Sequence, residues 1–548
     1  MKKSVLQKER ASFRPKLPKA LQGQVKVKEC EPTQSIANRE EIKKLFPHTY
    51  GMPLIEFEPG EEERNVKINV GVILSGGQAP GGHNVICGLY DQLKKLDSDN
   101  RLYGFLMGPS GLVEHKYIEI TDDHISDYLN TGGFDMLGSG RTKLETIEQF
   151  EKVKEIADKL NLKAIVIIGG DDSGTNSCML AEYYLEKKYD IQVIGCPKTI
   201  DGDLRDDQIE ISFGFDTATK TYSELIGNIE RDSNSARKYW HFIKLMGRSA
   251  SHIALECALQ THPNICLISE EVREKDMTLK QLATSIATAV AKRSAQGNNF
   301  GVVLIPEGLI EFVPALNRLI AELNDLMVEH IGEYKNLTTK EQKQYMAERL
   351  SQENAEMFDA LPDRVARQLS MERDPHGNVQ VSLIATDILL SHMVRAILDK
   401  WKLDGRYKGT FATQHHFLGY EGRCAFPTNF DVNYCYSLGA SAAHLIANGK
   451  TGYMTFVKNL TAPVDEWTAG GEPFTKMLNM EKRNGEMTPV IRKSLVDLNG
   501  AAFKAWEGMR DRLAIETDYI YPGPIQYFGP DEVCNQPTLT LSLDSNKK

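Results

Sequence analysis

The sequence predicts an α/β protein made of two Rossmann-like, three-layer domains with parallel-rich sheets, carrying an N-terminal arm and a helical insertion. Two observations lead there. From Ile68 onward a short apolar run, a glycine-rich turn and an amphipathic segment follow one another: INVGVILS into SGGQAPGGHN, KAIVIIGG into DDSGTNSCMLAEYYLEKK, IQVIGCP into KTIDGDL. A second set begins near Phe215, with HFIKLMGR leading into SASHIALECALQ, then NICLISEE, and NNFGVVLIPEG after a charged helical connection. At 548 residues the chain is long enough to give each set its own core.

Taken in order, residues 1–66 are rich in charge and proline, hold no convincing strand, and read as an arm that packs on the body. Residues 67–214 form the first α/β domain, completed by about 425–465, where a helix near 437–448 and the strand-like TGYMTFVKN return to it. Residues 215–424 form the second domain. It contains a helical insertion at about 311–405, rich in Glu, Lys and Arg and broken at Pro362 and at the turn ERDPHGN. Residues 466–548 are a C-terminal extension with aromatic pieces such as YIYPGPIQYFG.

Composition narrows the function. Lys plus Arg number 65 against 75 Asp plus Glu, a formal charge of −10, which speaks against wholesale nucleic-acid binding; positive charge for a phosphate must be local. With 41% hydrophobic and 26% charged residues the chain is an ordinary globular one. Its nine cysteines are scattered without a CxxC pair, so neither a disulfide nor a zinc framework is expected. The basic N-terminus lacks the apolar stretch of a secretory signal and no long apolar run follows, which points to the cytoplasm and to no membrane contact.

Three turns in the first domain carry candidate chemistry. Ser75 to Asn84, with four glycines and one proline between a strand and a helix, lets backbone NH groups approach an anion, or is simply a tight turn. It is not a Walker loop, because the only GK[ST], at Gly449, has His444 where the leading glycine belongs. Gly169 to Thr175 places Asp171 and Asp172 side by side after a buried strand. Adjacent carboxylates repel unless a cation or a lysine joins them, so Asp171 suits a metal ion that bridges to phosphate, with a helix cap as the alternative. Pro197 to Asp203 supplies Lys198 and Asp201: phosphoryl transfer to a hydroxyl needs a carboxylate to take its proton and a cation for the spreading charge. The plainer reading is an Asx-type turn.

In the second half, Met246-Gly247-Arg248 stands at one strand end and Pro306-Glu307-Gly308 at another, and Tyr420-Glu421-Gly422-Arg423 follows later. Arginines there can grip a phosphate in bidentate fashion while a glutamate accepts from sugar hydroxyls; singly, each is more often a surface ion pair. The thirteen histidines include no HExxH, and His415 and His416 in a strand would face opposite sides.

In this order, SGGQAPGGHN, GSGR, GGDDS, PKTIDGD, MGRSASH, PEG and LGYEGR resemble the phosphofructokinase family over roughly residues 68 to 460. Within it the chain is most similar to the long, pyrophosphate-dependent branch, which has a similar arm and helical insertion. The resemblance implies reversible, Mg2+-dependent phosphoryl transfer from pyrophosphate to the 1-hydroxyl of fructose 6-phosphate. It makes Asp201 the general base. Thr199, Ile200, Asp201, Met246, Gly247, Arg248 and Glu307 would line the sugar phosphate site, and Tyr420, Glu421, Gly422 and Arg423 would hold its 6-phosphate end. Gly76 and Arg141 would contact pyrophosphate, Asp171 would hold Mg2+, and Asp203 would support that region.

Donor choice, on the same resemblance, rests on Asp172 and Lys198, where ATP-using relatives usually have glycine. Asp172 would occupy and repel the place of a nucleotide α-phosphate, and Lys198 would restore positive charge on the transferring group. Two positions depart from those relatives. Lys238 and Tyr239 stand where an arginine reaches in from a neighbouring subunit, and are expected to serve a substrate site shared across a homodimer. Gln414 replaces a second arginine, which removes the basis for another bridging contact. The alternatives are an ATP-dependent 6-phosphofructokinase and a non-catalytic regulatory subunit of the same fold.

Overall fold

Apolar runs bounded by glycine turns become buried parallel strands. The structure, a computed structural model, describes residues 3–61, 65–334, 337–370, 383–483 and 486–545. The ERDPHGN turn lies outside the described residues. The strands of the first half are β1 (Val25–Pro32), β2 (Pro53–Pro59), β3 (Asn69–Leu74), β4 (Arg101–Phe105), β5 (Tyr117–Ile120), β6 (Leu162–Gly169) and β7 (Gln192–Pro197). Those of the second half are β8 (Trp240–Leu245), β9 (Ile265–Cys266), β10 (Gly301–Pro306) and β11 (Thr413–Leu418). After them come β12 (Tyr453–Lys458), β13 (Thr468–Pro473), β14 (Leu478–Arg483) and β15 (Glu486–Ile491).

Nine strands form one sheet in the order β1-β2-β13-β12-β7-β6-β3-β4-β5. Its centre, β12, β7, β6, β3 and β4, is parallel, and both margins are antiparallel. The second sheet, β11-β8-β10-β9, is parallel throughout. Strands covered on both faces carry apolar side chains at every position, and the two-residue period sorts them. In β6, Ala164, Val166 and Ile168 enter one core while Ile165 and Ile167 enter the core on the opposite face. In β10, Val302 and Leu304 join the first of these cores, which thus spans both sheets, whereas Val303 and Ile305 face the helices of the insertion.

Three expectations need correction. Residues 1–66 are not strandless: β1 and β2 form an antiparallel margin of the large sheet against β13. The sequence of β1, VKVKECEP, hides this because an edge strand buries little of either face. The sheet also draws β13 from beyond residue 465. The helix expected near 437–448 begins earlier, spanning Asn429–Ala447, because the Thr428 side chain caps it by accepting from the Asp431 N–H. In the insertion, helices Pro314–Tyr334, Thr339–Ala347, Gln352–Ala360, Asp363–Leu369 and Thr386–Leu403 share a core with β8 and β10, and Pro362 caps the fourth. No helix among the described residues is long and apolar enough to cross a membrane.

Two buried arginines tie the ends down. Arg10 donates to Asn429 Oδ1 at 2.7 Å and to the Pro427 carbonyl at 3.0 Å, with its guanidinium over the Tyr527 ring. Arg293 donates to the carbonyls of Phe300 and Ile515 at 3.0 and 2.8 Å and to Thr517 Oγ1 at 2.9 Å. Each satisfies carbonyls that would otherwise be buried without a donor.

Helix Gly82–Leu96, which follows the first glycine turn, crosses helix Asn429–Ala447 with backbone against backbone. A Cβ on Gly88 would fall 2.1 Å from the Tyr436 carbonyl oxygen, and one on Gly439 would fall 2.0 Å from that of Val85. Neither helix can yield to such a clash locally. Gly439→Ala is therefore expected to destabilise the protein by about 1–3 kcal/mol, read as a lower denaturation midpoint, whereas Gly508→Ala, with nothing within 4 Å, serves as the tolerated control.

Candidate active site

The chemistry-bearing turns all leave the carboxyl ends of parallel strands, where such sheets bind ligands. After β3, Ser75 bridges to Gly140, and Gly76 donates its N–H to the Gly140 carbonyl at 2.9 Å. Gly76 has a φ of +82°, and a Cβ on it would stand 3.2 Å from Lys198 Nζ. Its neighbour Gly77 would place one 3.5 Å from an Arg141 guanidinium nitrogen. Two cations thus lie over a bare stretch of backbone, which is the form of an anion cradle. Arg423 adds a third, donating to the Gln78 side-chain oxygen.

After β6, Gly170 is the N-cap and Asp171 and Asp172 open helix Asp171–Glu186, so neither aspartate is the cap. Each meets a cation, as adjacent carboxylates require. Lys493 Nζ lies 3.4 Å from Asp171 Oδ2, and Arg483 donates to Asp172 Oδ1 at 2.5 Å. Burial opposes ionisation of Asp171, yet Lys493, Arg248 and Arg483 outweigh it and hold the carboxyl below the usual carboxylate range. Asp171 Oδ2 is buried and accepts no hydrogen bond.

After β7, Lys198 is 6% exposed; burial, with Arg141 and Arg423 close by, pulls its ammonium down to about 8 against the pull of Asp171 and Asp201. Asp201 N–H donates to Thr199 Oγ1 at 3.0 Å, so the Thr199 hydroxyl closes this turn, and the Arg248 N–H points at Asp201 Oδ2 from 3.4 Å. Burial and the charge of Asp201 push the Asp203 carboxyl up to about 7, with Asp171 adding to the effect and Lys493 and Arg248 opposing it.

The second sheet closes the cleft. Gly247 (φ +129°) donates its N–H to Glu307 Oε1 at 3.2 Å. The other oxygen of Glu307 has no hydrogen-bond partner, and burial followed by repulsion from Asp201 pushes this carboxyl up to about 7. Gly308 is a necessity of packing, since a Cβ there would lie 1.8 Å from the Arg248 carbonyl oxygen.

One cleft collects Gly76, Arg141, Asp171, Asp172, Lys198, Thr199, Ile200, Asp201, Asp203, Met246, Arg248, Glu307, Tyr420 and Arg423. Gly247 contributes through its N–H. Others stand apart. Glu421 is exposed and outside the lining, and a Cβ on Gly422 would strike the Tyr222 ring at 2.5 Å, so that glycine serves packing. Arg423 faces the first glycine turn, whereas Tyr420 stays at the mouth, 59% exposed. Lys238 and Tyr239 precede β8, at the end opposite Met246 and outside this chain's cleft, with the Lys238 ammonium 5.2 Å from the Tyr239 ring centre. His415 and His416 do face opposite sides of β11: one meets Ser391 and the other His241.

The sequence reading missed Gln78, Arg483 and Lys493. The demand for counter-charge at Asp171 and Asp172 was legible; which distant cations meet it was not, because β14 and the segment after β15 reach back from about three hundred residues further along the chain. A divalent cation fits this donor set. Asp171 offers a buried oxygen without a hydrogen bond, and the Asp203 carboxyl is pushed up by burial and by Asp201, a shift that a bound cation would oppose. No group of three or more metal-ligating side chains occurs among the described residues.

The phosphofructokinase profile matches residues 69–446. The chain belongs to the phosphofructokinase family. A Porphyromonas gingivalis relative, named pyrophosphate–fructose 6-phosphate 1-phosphotransferase, is 60% identical over 549 residues, the whole of both chains. An Entamoeba histolytica relative of the same name is 51% identical over 550 residues, again in full. Among solved structures, a pyrophosphate-dependent phosphofructokinase from Nitrosospira multiformis matches with a TM-score of 0.54, covering 86% of this chain and 97% of the other; at 17% identity this likeness speaks for the fold.

Glu307 is expected to make stability depend on pH. Its folded value, about 7, lies above the ordinary 4.5, so the folded state binds the extra proton between them and stability falls as pH rises through that window. Glu307→Gln is expected to lessen the loss of stability between pH 5 and 7 relative to wild type, measured by urea midpoints at the two pH values.

Proposed function

We propose that this chain transfers a phosphoryl group from pyrophosphate to the 1-hydroxyl of fructose 6-phosphate, reversibly, giving fructose 1,6-bisphosphate and phosphate in cytoplasmic glycolysis. The observation that carries the donor assignment is the wall made by Asp172 and Arg483, joined at 2.5 Å, beside Lys198 over Gly76. An ion pair is a fixed, neutral obstacle, so exclusion of a longer nucleotide phosphate chain rests on occupied space more than on the naked repulsion expected from Asp172 alone. Lys198 and Arg141 supply charge where a pyrophosphate end group would sit.

The transfer is an in-line displacement in which positioning and charge neutralisation do most of the work. Asp201 lies between the two halves of the cleft and takes the proton of the 1-hydroxyl. Met246, Arg248, Glu307 and Tyr420 hold the sugar phosphate, Glu307 keeping one oxygen for a hydroxyl. Thr199 and Ile200 line the floor, while Lys198, Arg141 and Arg423 neutralise the transferring group. Asp171 and Asp203 would hold Mg2+, which when bound offsets donor charge. Lys238 and Tyr239, at the far end of β8, fit a homodimer in which they complete the partner's sugar site.

A coupled assay with fructose 6-phosphate and magnesium, with pyrophosphate in one arm and ATP in the other, is expected to give turnover with pyrophosphate alone; turnover with ATP alone would overturn the donor reading, and silence in both arms would favour a regulatory subunit. Asp201→Asn is expected to lower kcat by about 10²–10⁴ with a far smaller change in KM for fructose 6-phosphate. Asp172→Gly removes the obstacle and leaves the Arg483 guanidinium facing the donor cleft; pyrophosphate turnover is expected to fall and weak ATP turnover to appear.

A further inference from the structure

A second polar cavity lies behind the catalytic cleft. It is about 660 Å³ in volume and is bounded by β14, the segment after β15, and the first helix of the insertion. Its positive charge is concentrated: Arg273, Arg318, Arg492 and Lys493 all line it, against the carboxylates of Glu311 and Glu481. The chain as a whole has a formal charge of −10, so four cations around one cavity are a local arrangement.

Several features make this more than a charged surface. Arg318 and Lys493 have carboxylate partners, Glu353 at 3.2 Å and Asp171 at 3.4 Å. Arg273 and Arg492 pair with no carboxylate among the described residues. Arg273 instead lies over the Phe312 ring, 5.0 Å from its centre, at the cavity wall. On the β14 side, Asn479 Oδ1 is buried and accepts no hydrogen bond. An acceptor in that state is satisfied by a hydroxyl, and two guanidinium groups without a carboxylate partner offer a phosphate charge-assisted hydrogen bonds.

We propose that this cavity binds a small phosphorylated polyol or sugar, with the phosphate on Arg273 and Arg492 and a hydroxyl donating to Asn479. Lys493 stands between this cavity and the catalytic cleft. Its ammonium donates to Ser249 Oγ at 2.8 Å, a residue of the cavity wall, and lies 3.4 Å from Asp171 in the cleft. A bound anion competes with Asp171 for that ammonium, so the two sites are coupled, and the coupling is reciprocal.

The test is calorimetric titration of the full-length protein with glycerol 3-phosphate, alongside glycerol as the uncharged control. The comparison is with Arg273→Ser/Arg492→Ser, whose two side chains are exposed and outside the catalytic lining. Wild type is expected to take up glycerol 3-phosphate at this cavity, and the double variant to bind there at least about tenfold more weakly, as loss of charge-assisted hydrogen bonds entails. Turnover with pyrophosphate and fructose 6-phosphate in the absence of glycerol 3-phosphate is expected to match wild type, which separates this site from the catalytic reading. An isotherm unchanged by the double substitution would overturn the proposal. So would a parallel loss of basal turnover in a folded variant, which would make the cavity an extension of the catalytic cleft.

Discussion

The constraint on which the rest depends is charge balance in a buried cleft. Holding two phosphorylated substrates requires cations in a place with little water, and buried cations without partners are costly. The cleft answers with Asp171, Asp172, Asp201, Asp203 and Glu307 set among Arg141, Lys198, Arg248, Arg423, Arg483 and Lys493. The shifts follow from this arrangement. Asp171 is held ionised by three cations, whereas Asp203 and Glu307, facing other carboxylates with burial against them, resist ionisation. Lys198 gives up part of its proton affinity to burial and then to the arginines beside it. Substrate phosphates relieve that crowding of positive charge.

What could be read from the sequence was what is local. A glycine turn after an apolar strand fixes where backbone NH groups point, so the turns at Ser75, Gly169, Pro197, Met246 and Pro306 could be placed at strand ends before any coordinates. The burial of β6 was equally legible, since a strand covered on both faces is apolar at nearly every position. What escaped was what depends on distant partners. Arg483 and Lys493 sit in a segment whose composition says nothing of aspartates some three hundred residues earlier. β1 escaped because an edge strand may carry lysine and glutamate on both faces. Lys238 and Tyr239 were noted from the resemblance, and a single chain leaves them outside its own cleft.

The C-terminal extension is thereby part of the active-site architecture. Arg483 at the end of β14 and Lys493 just after β15 reach the first two residues of helix Asp171–Glu186, and the Ser494 N–H donates to the Asp203 carbonyl at 2.7 Å. His252, buried, meets the Ser494 carbonyl at 2.9 Å, so one short segment is held by residues that follow a strand of each sheet. The position of the donor-side carboxylates is set as much by this late segment as by the strand that carries them.

The crossing of helices Gly82–Leu96 and Asn429–Ala447 has a mechanical side. Where one peptide group rests on another through Gly88 and Gly439, there is no layer of side chains to slide or repack. The first helix follows the first glycine turn; the second begins six residues after Arg423, which grips that turn through Gln78. The cradle and its arginine therefore ride on a single stiff block, like the fixed jaw of a vice. Across the cleft Arg248 and Gly308 also touch backbone to backbone, so a shift of either carries the other with it.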